Sequence, residues 1–174
     1  MQVSLIAAMD RDRLMGSASG RLPWRLPRDI AHFRAATAGK WLLLGRRTYE
    51  EMDGWFTDQT PLILSRDPDY LPQRPFHRVF TEIRTALDFA RASGVGEVVV
   101  VGGAQTFAAT MEVATRLILT RIEASYEVVG GVYFSEFEKS GEWHPVHAED
   151  WPRDDENSVA MRLEYYEKRR SRPA

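Results

Sequence analysis

The chain has 174 residues, 44% hydrophobic and 28% charged, with a net charge of −2, enough for one globular domain with a real core and no overall attraction for nucleic acid. It contains no cysteine, which excludes disulfides, thiolate metal sites and cysteine nucleophiles, and its four histidines (His32, His77, His144, His147) show no metal-ligand spacing. No apolar run reaches the ~18 residues of a membrane span, and the opening MQVSLIAAMDRDR lacks a signal-peptide pattern, so the expectation is a soluble, cytoplasmic protein without a metal.

The first apolar run, VSLIAAM (3–9), reads as a strand. The stretch DRDRLMGSASGRLPW (10–24) that follows is rich in Gly, Ser and charge. It is either a plain surface loop or a lid to which Gly16 and Gly20 lend backbone freedom. Next, RLPWRLPRDIAHF (21–33) opens a helix over about 27–38. Pro27 suits the first helical position and puts Asp29 in the first turn, where an acid complements the helix dipole. Leu26, Ile30, Phe33 and Thr37 form one stripe, and Asp29 borders it because residues four apart are neighbours. Asp29 is therefore either an ordinary helix-start acid or a carboxyl held against an apolar wall to move a proton.

Strands follow at KWLLLG (40–45), PLILS (61–65), HRVF (77–80), EVVVV (97–101) and RLILTRIE (116–123), with helices near 46–53, 82–93 and 104–113 between them. Several runs are continuously apolar, the pattern of strands covered on both faces in a parallel sheet. VYF (132–134) and MRLEYYEKR (161–169) read as late strands, paired as a hairpin across a polar loop at 138–158. The whole predicts a single α/β domain over 1–170. Its mostly parallel mixed sheet has about eight strands, about four flanking helices and a C-terminal antiparallel edge hairpin. The basic residues of 168–172 make a solvated tail, with 171–174 outside the domain.

Three strand ends carry residues suited to phosphate. KWLLLG runs into Arg46, Arg47 and Thr48; PLILS ends at Ser65 and Arg66; EVVVV runs into Gly102, Gly103 and Ala104. Arginine offers a charged fork, and paired glycines allow a close backbone approach. Each alone is as readily a turn. Together, at carboxyl ends of strands where α/β sheets bind ligands, they suit a dinucleotide bearing a 2′-phosphate, hence NADP. The spacing is neither G-x-G-x-x-G nor a P-loop.

Taken together, SLIAA (4–8), RLMG (13–16), LPWRLPRD (22–29), LLLGRRTYE (42–50), LILS (62–65), VVGG (100–103), LILTRIE (117–123) and the RLEYYEKR strand resemble bacterial-type dihydrofolate reductases across nearly the whole chain. The resemblance implies NADPH-dependent reduction of dihydrofolate, a small-molecule substrate, by a monomer. It implies that Asp29 hydrogen-bonds the pterin and promotes protonation at N5, with Trp24 and Thr120 completing its network. Ile6, Ala8, Ile30, Phe33, Arg34, Met52, Phe56, Gln59 and Val101 fall at substrate positions. Ala8, Met15, Gly16, Leu22, Gly45, Arg46, Arg47, Thr48, Leu64, Ser65, Arg66, Val101, Gly102, Gly103, Ala104, Gln105, Thr106 and Phe107 fall at cofactor positions. The family's Gly–Gly bond is cis, and the same is expected of Gly102–Gly103.

The sequence departs from the family at four points. Gln59 stands where an arginine usually clasps the folate glutamate, Ala104 replaces a third glycine, Phe107 replaces a frequent tyrosine, and Gly131 replaces an acid that steadies the lid. Two other readings stay open: a reductase of another pterin or a riboflavin precursor, and a non-catalytic binding protein on the same scaffold.

Overall fold

The structure is a computed structural model, and it describes residues 1–169; the expected tail at 171–174 lies outside them. The described residues form ten strands and four α-helices: β1 (Gln2–Met9), β2 (Leu14–Ser17), α1 (Pro27–Thr37), β3 (Trp41–Gly45), α2 (Arg46–Glu51), β4 (Thr60–Leu64), β5 (Arg78–Phe80), α3 (Ile83–Ala92), β6 (Glu97–Gly102), α4 (Ala104–Thr110), β7 (Arg116–Ile122), β8 (Gly131–Tyr133), β9 (Trp143–Trp151) and β10 (Met161–Lys168). Eight strands form one sheet in the order β5-β4-β3-β6-β1-β7-β10-β9, while β2 and β8 pair separately. From β5 to β7 every pairing is parallel; β10 is antiparallel to both β7 and β9.

The continuous apolar runs have their expected cause. Alternate residues of one strand enter opposite cores: Leu43, Val98, Val100, Leu117 and Leu119 pack on one face with Ala86, Leu87 and Ala90 of α3 and Phe107 of α4. Leu42, Leu44, Val99 and Ile118 pack on the other with Phe33 of α1 and Tyr49 of α2. Burial on both faces removes the polar alternation that a half-exposed strand shows.

The antiparallel edge hairpin exists, but its partners differ from the expected ones. Residues 161–168 pair with 143–151, inside the stretch expected to be a loop. The segment near 132–134 instead supplies β8, which pairs with β2 in the expected lid. Two facts hid β9. As the sheet edge it is exposed everywhere but at Trp143, Trp151 and, in part, His144, and it contains Pro145, which an edge strand tolerates at an irregularity. The register does shift there, with Tyr165 opposite His147 and Tyr166 opposite Pro145. Helix α4 ends at Thr110, three residues earlier than expected.

Candidate active site

Helix α1 carries Asp29 into the gap beside the end of β1. The backbone N–H of Arg28 donates to Asn157 Oδ1 at 3.0 Å, and Asn157 is itself tied to Asp154 by three hydrogen bonds, at 2.7, 2.8 and 2.9 Å. Arg28 also pairs with Asp154 at 3.2 Å. A loop 126 residues away in sequence thus fixes the helix start. Asn157 is 2% exposed, a buried polar group whose role no local pattern announced.

Two groups, Thr120 and His32, act on the Asp29 carboxyl. Burial raises its pKa above the ordinary value, while the Thr120 hydroxyl and the His32 ring pull it back. Thr120 is buried in β7 and lies opposite Ala8 of β1, so the sheet register holds it in place. Trp24 lies 5.4 Å from Tyr126, ring to ring, and its buried indole N–H has no partner within the protein. His32 is one turn beyond Asp29, edge-on to Trp151 at 5.5 Å, and burial lowers its pKa. Sequence reasoning gave His32 no role; its i+3 spacing from Asp29 was the available signal.

A cleft lies alongside, lined by Phe33, Arg34, Thr37, Leu42, Met52, Trp55, Phe56 and Gln59. Five of these were expected; Thr37 was placed only on the helix stripe, and Leu42 and Trp55 were not anticipated. Trp55 meets Phe33 edge-on at 5.7 Å and lies 4.2 Å beneath the Arg34 guanidinium. Gln59 turns its carbonyl back onto its own loop, accepting from the N–H groups of Thr57 at 3.0 Å and Asp58 at 3.3 Å. Ile6 is buried, Ala8 and Val101 are half-buried, and Ile30 is exposed.

The expected cofactor end gathers at the ends of β3, β4 and β6. Gly45 is in register with Leu64, and Leu44 with Gly102. The Gly102–Gly103 bond is cis, and Gly102 has φ +125°, a backbone conformation open mainly to glycine. A Cβ at Gly103 would come 3.2 Å from Thr48 Oγ1, and one at Gly45 would come 3.2 Å from Thr106 Oγ1. Ala104 and Gln105 open α4, whereas Phe107 lies in the core, 5.3 Å from Phe134. Phe107 thus supports Gly102 from beneath. Ser65 is buried and Arg66 exposed. Arg46 sits 3.8 Å from both Glu50 and Asp67 and 5.4 Å above Tyr70. Bare glycine backbone beside three arginines and a serine fits a dinucleotide with an additional phosphate.

The loop from 10 to 24 is pinned along its length. Asp10, fully buried, accepts from the N–H groups of Asp12, Leu14 and Tyr126. Gly16 pairs with Val132 and Ser17 with Gly131, the Ala18 N–H donates to Gly130 at 2.9 Å, and Arg47 donates to the Ala18 carbonyl at 3.4 Å. A Cβ at Gly131 would come 2.9 Å from the side-chain ends of Leu14 and Tyr133, which would have to shift to admit a larger residue; β2–β8 pairing steadies the loop instead. Met15 is half-buried and Leu22 exposed.

A family model described as dihydrofolate reductase matches residues 2–168. The chain belongs to that family. A dihydrofolate reductase of Bacillus subtilis is 33% identical over 172 residues, 99% of this chain and 98% of the relative. The type 3 dihydrofolate reductase of Salmonella typhimurium is 33% identical over 162 residues, 92% and 94% of the two chains. A solved dihydrofolate reductase from Enterococcus faecalis, complexed with NADP(H) and RAB-propyl, matches with a TM-score of 0.84 at 29% identity, covering 96% of both chains. The sheet order, four helices and edge hairpin are therefore those of a dihydrofolate reductase. Among the described residues no helix is long and apolar enough to cross a membrane, and no cluster of three or more His, Asp or Glu could hold a metal.

Proposed function

We propose that the protein performs the reaction of its family, NADPH-dependent reduction of 7,8-dihydrofolate to 5,6,7,8-tetrahydrofolate, with Asp29 as the proton-managing group. One observation carries this assignment: a carboxyl on α1, one turn before the cleft residue Phe33, whose pKa burial has raised. A raised pKa enlarges the protonated fraction near neutrality, which general acid catalysis requires.

Asp29 hydrogen-bonds the pyrimidine ring of the substrate and promotes protonation at N5, through water shared with Thr120 and the unpartnered Trp24 N–H. NADPH supplies the hydride that C6 accepts. Phe33, Met52, Phe56, Ile6, Ile30 and Val101 hold the pterin and its aromatic tail away from solvent. Arg46, Ser65 and Arg66 hold the 2′-phosphate; Arg47, Thr48 and the Gly102–Gly103 turn hold the pyrophosphate. Met15, Gly16 and Leu22 close over the reacting rings. The working unit is taken to be a cytoplasmic monomer.

The test follows nicotinamide absorbance with NADPH and dihydrofolate in the wild type and Asp29→Asn. Turnover by the wild type and its loss in the variant are expected. Wild-type inactivity with dihydrofolate, alongside turnover of another pterin or a riboflavin precursor, would refute the substrate assignment.

A further inference from the structure

Arg46 is placed to grip a 2′-phosphate, yet the structure already gives it an anion. Its Nη1 lies 3.8 Å from Asp67 Oδ2, and its Nε lies 3.8 Å from Glu50 Oε1. Glu50 is the i+4 neighbour on the same helix, an ordinary surface pair. Asp67 is different, because it comes from the turn that the phosphate must enter. Its own N–H donates to Ser65 Oγ at 3.1 Å, and its Oδ1 accepts from the Asp69 N–H at 3.1 Å. Asp67 is thereby fixed between Ser65 and Arg46, two of the groups assigned to the phosphate.

We propose that Asp67 is a specificity-determining residue that weakens selection for NADPH over NADH. In the free protein its carboxylate pairs with Arg46. When a 2′-phosphate takes that place, Asp67 is left facing a second anion of about two negative charges. A ribose bearing only a 2′-hydroxyl brings no such charge. The discrimination that Arg46, Ser65 and Arg66 create is thus partly cancelled by a charge in the same turn. Such cancellation is a way to set specificity by repulsion as well as attraction. This inference rests on the cofactor assignment above. The side chains of Arg46 and Asp67 are 46% and 53% exposed, so the repulsion is screened and its effect is moderate.

The experiment measures dissociation constants for NADPH and NADH directly, by calorimetry, on the wild type, Asp67→Asn and Asp69→Asn. Asparagine keeps the Oδ1 acceptor of the turn and puts a neutral NH2 donor where the charged Oδ2 faces Arg46. Asp69→Asn removes the same charge two residues on, where no ion pair to Arg46 exists among the described residues. For Asp67→Asn, NADPH binding should tighten about 3–10-fold, the size of a screened like-charge contact over a few ångströms, while NADH binding stays unchanged. Asp69→Asn should leave both near the wild-type values. Unchanged NADPH binding in Asp67→Asn, or an equal gain in Asp69→Asn, overturns the proposal. A wild type that binds neither nucleotide refutes the cofactor assignment itself, and this inference with it.

Discussion

Asp29 and His32 stand one helical turn apart, and burial drives their pKa values toward each other: the carboxyl is raised and the imidazole lowered. Each also favours the charged form of the other. Removing His32's positive charge lets the Asp29 pKa rise further. Activity needs protonated Asp29 and declines as pH rises through that pKa. In His32→Gln the decline should therefore move to higher pH in the kcat profile. A profile identical to wild type would show that His32 does not reach Asp29 electrostatically.

Asp29→Asn should slow hydride transfer about 10²–10⁴-fold at neutral pH, the usual worth of a general acid. The same substitution should stabilise the fold. The folded-state pKa of Asp29 lies above its ordinary 3.8, so the folded state binds more protons over that interval and stability falls as pH rises through it. Ionising this carboxyl carries a desolvation cost that asparagine avoids. Melting temperatures at pH 7 and near pH 3 check the sign: the variant should exceed wild type at the first and converge with it at the second. A function–stability exchange of this kind is common at active sites.

Tyr49 and His77 make the opposite case, a buried pair without catalytic duty. The Tyr49 hydroxyl and His77 Nδ1 lie 2.7 Å apart, and the hydroxyl also accepts from the Gln73 N–H at 3.1 Å. Burial lowers the His77 pKa below its ordinary 6.5. The unfolded chain therefore binds more protons below that value, and the contribution to stability, complete above pH 6.5, is lost as pH falls through the folded pKa. Tyr49→Phe leaves His77 without a partner and should cost about 1–3 kcal/mol. Urea unfolding at pH 7.5 and 5.5 should show this loss at both values, on top of an acid-side decline that His77→Gln abolishes.

The fold was legible wherever burial was two-sided. Strands such as LLLG and VVVV announce themselves because both cores need them apolar, and Pro27, Asp29 and the stripe through Phe33 mark α1 by local chemistry alone. The edge was not legible. Trp143–Trp151 is polar because one edge and much of both faces meet water, and β2–β8 is held by backbone pairing that leaves little trace in side chains. Within the site, the strand-end arginines and glycines could be read from type and position. The contacts of Trp55, Asn157 and Asp67 could not, since they join residues distant in sequence or belong to a turn geometry no motif encodes.

At the cofactor end, Arg46→Ala should weaken NADPH binding about 10–150-fold, the worth of one charged hydrogen bond of about 1.5–3 kcal/mol. NADH binding should change little, because only NADPH presents the 2′-phosphate. Direct titration of both nucleotides checks this. Equal weakening of both would move Arg46 away from the 2′ position.

The last prediction concerns the far end of the substrate cleft, where an arginine is usual and Gln59 stands. A folate carries a glutamate there, and an anion entering an apolar cleft needs a cation or a strong donor. Gln59 has spent its carbonyl closing its own loop on Thr57 and Asp58, and an amide brings no charge in any orientation. Arg34 lines the same cleft, and its guanidinium lies over the Trp55 ring at 4.2 Å, with no carboxylate partner among the described residues. Stacking on an aromatic face contributes about 0.5–2 kcal/mol and, more to the point, fixes the fork before the ligand arrives. Arg34 is therefore expected to meet the tail carboxylate in place of the missing arginine. Arg34→Ala should raise KM for dihydrofolate about 10–150-fold with kcat nearly unchanged, since one charged contact remote from C6 is lost. KM for a dihydropterin lacking the glutamate should not move. Trp55→Ala should give a smaller rise in the same direction, and Gln59→Arg should lower KM by supplying a second cation. If instead Arg34→Ala leaves the preference for dihydrofolate over the tail-less pterin intact, the carboxylate is held elsewhere, and the stacked pair is a piece of cleft wall rather than a clamp.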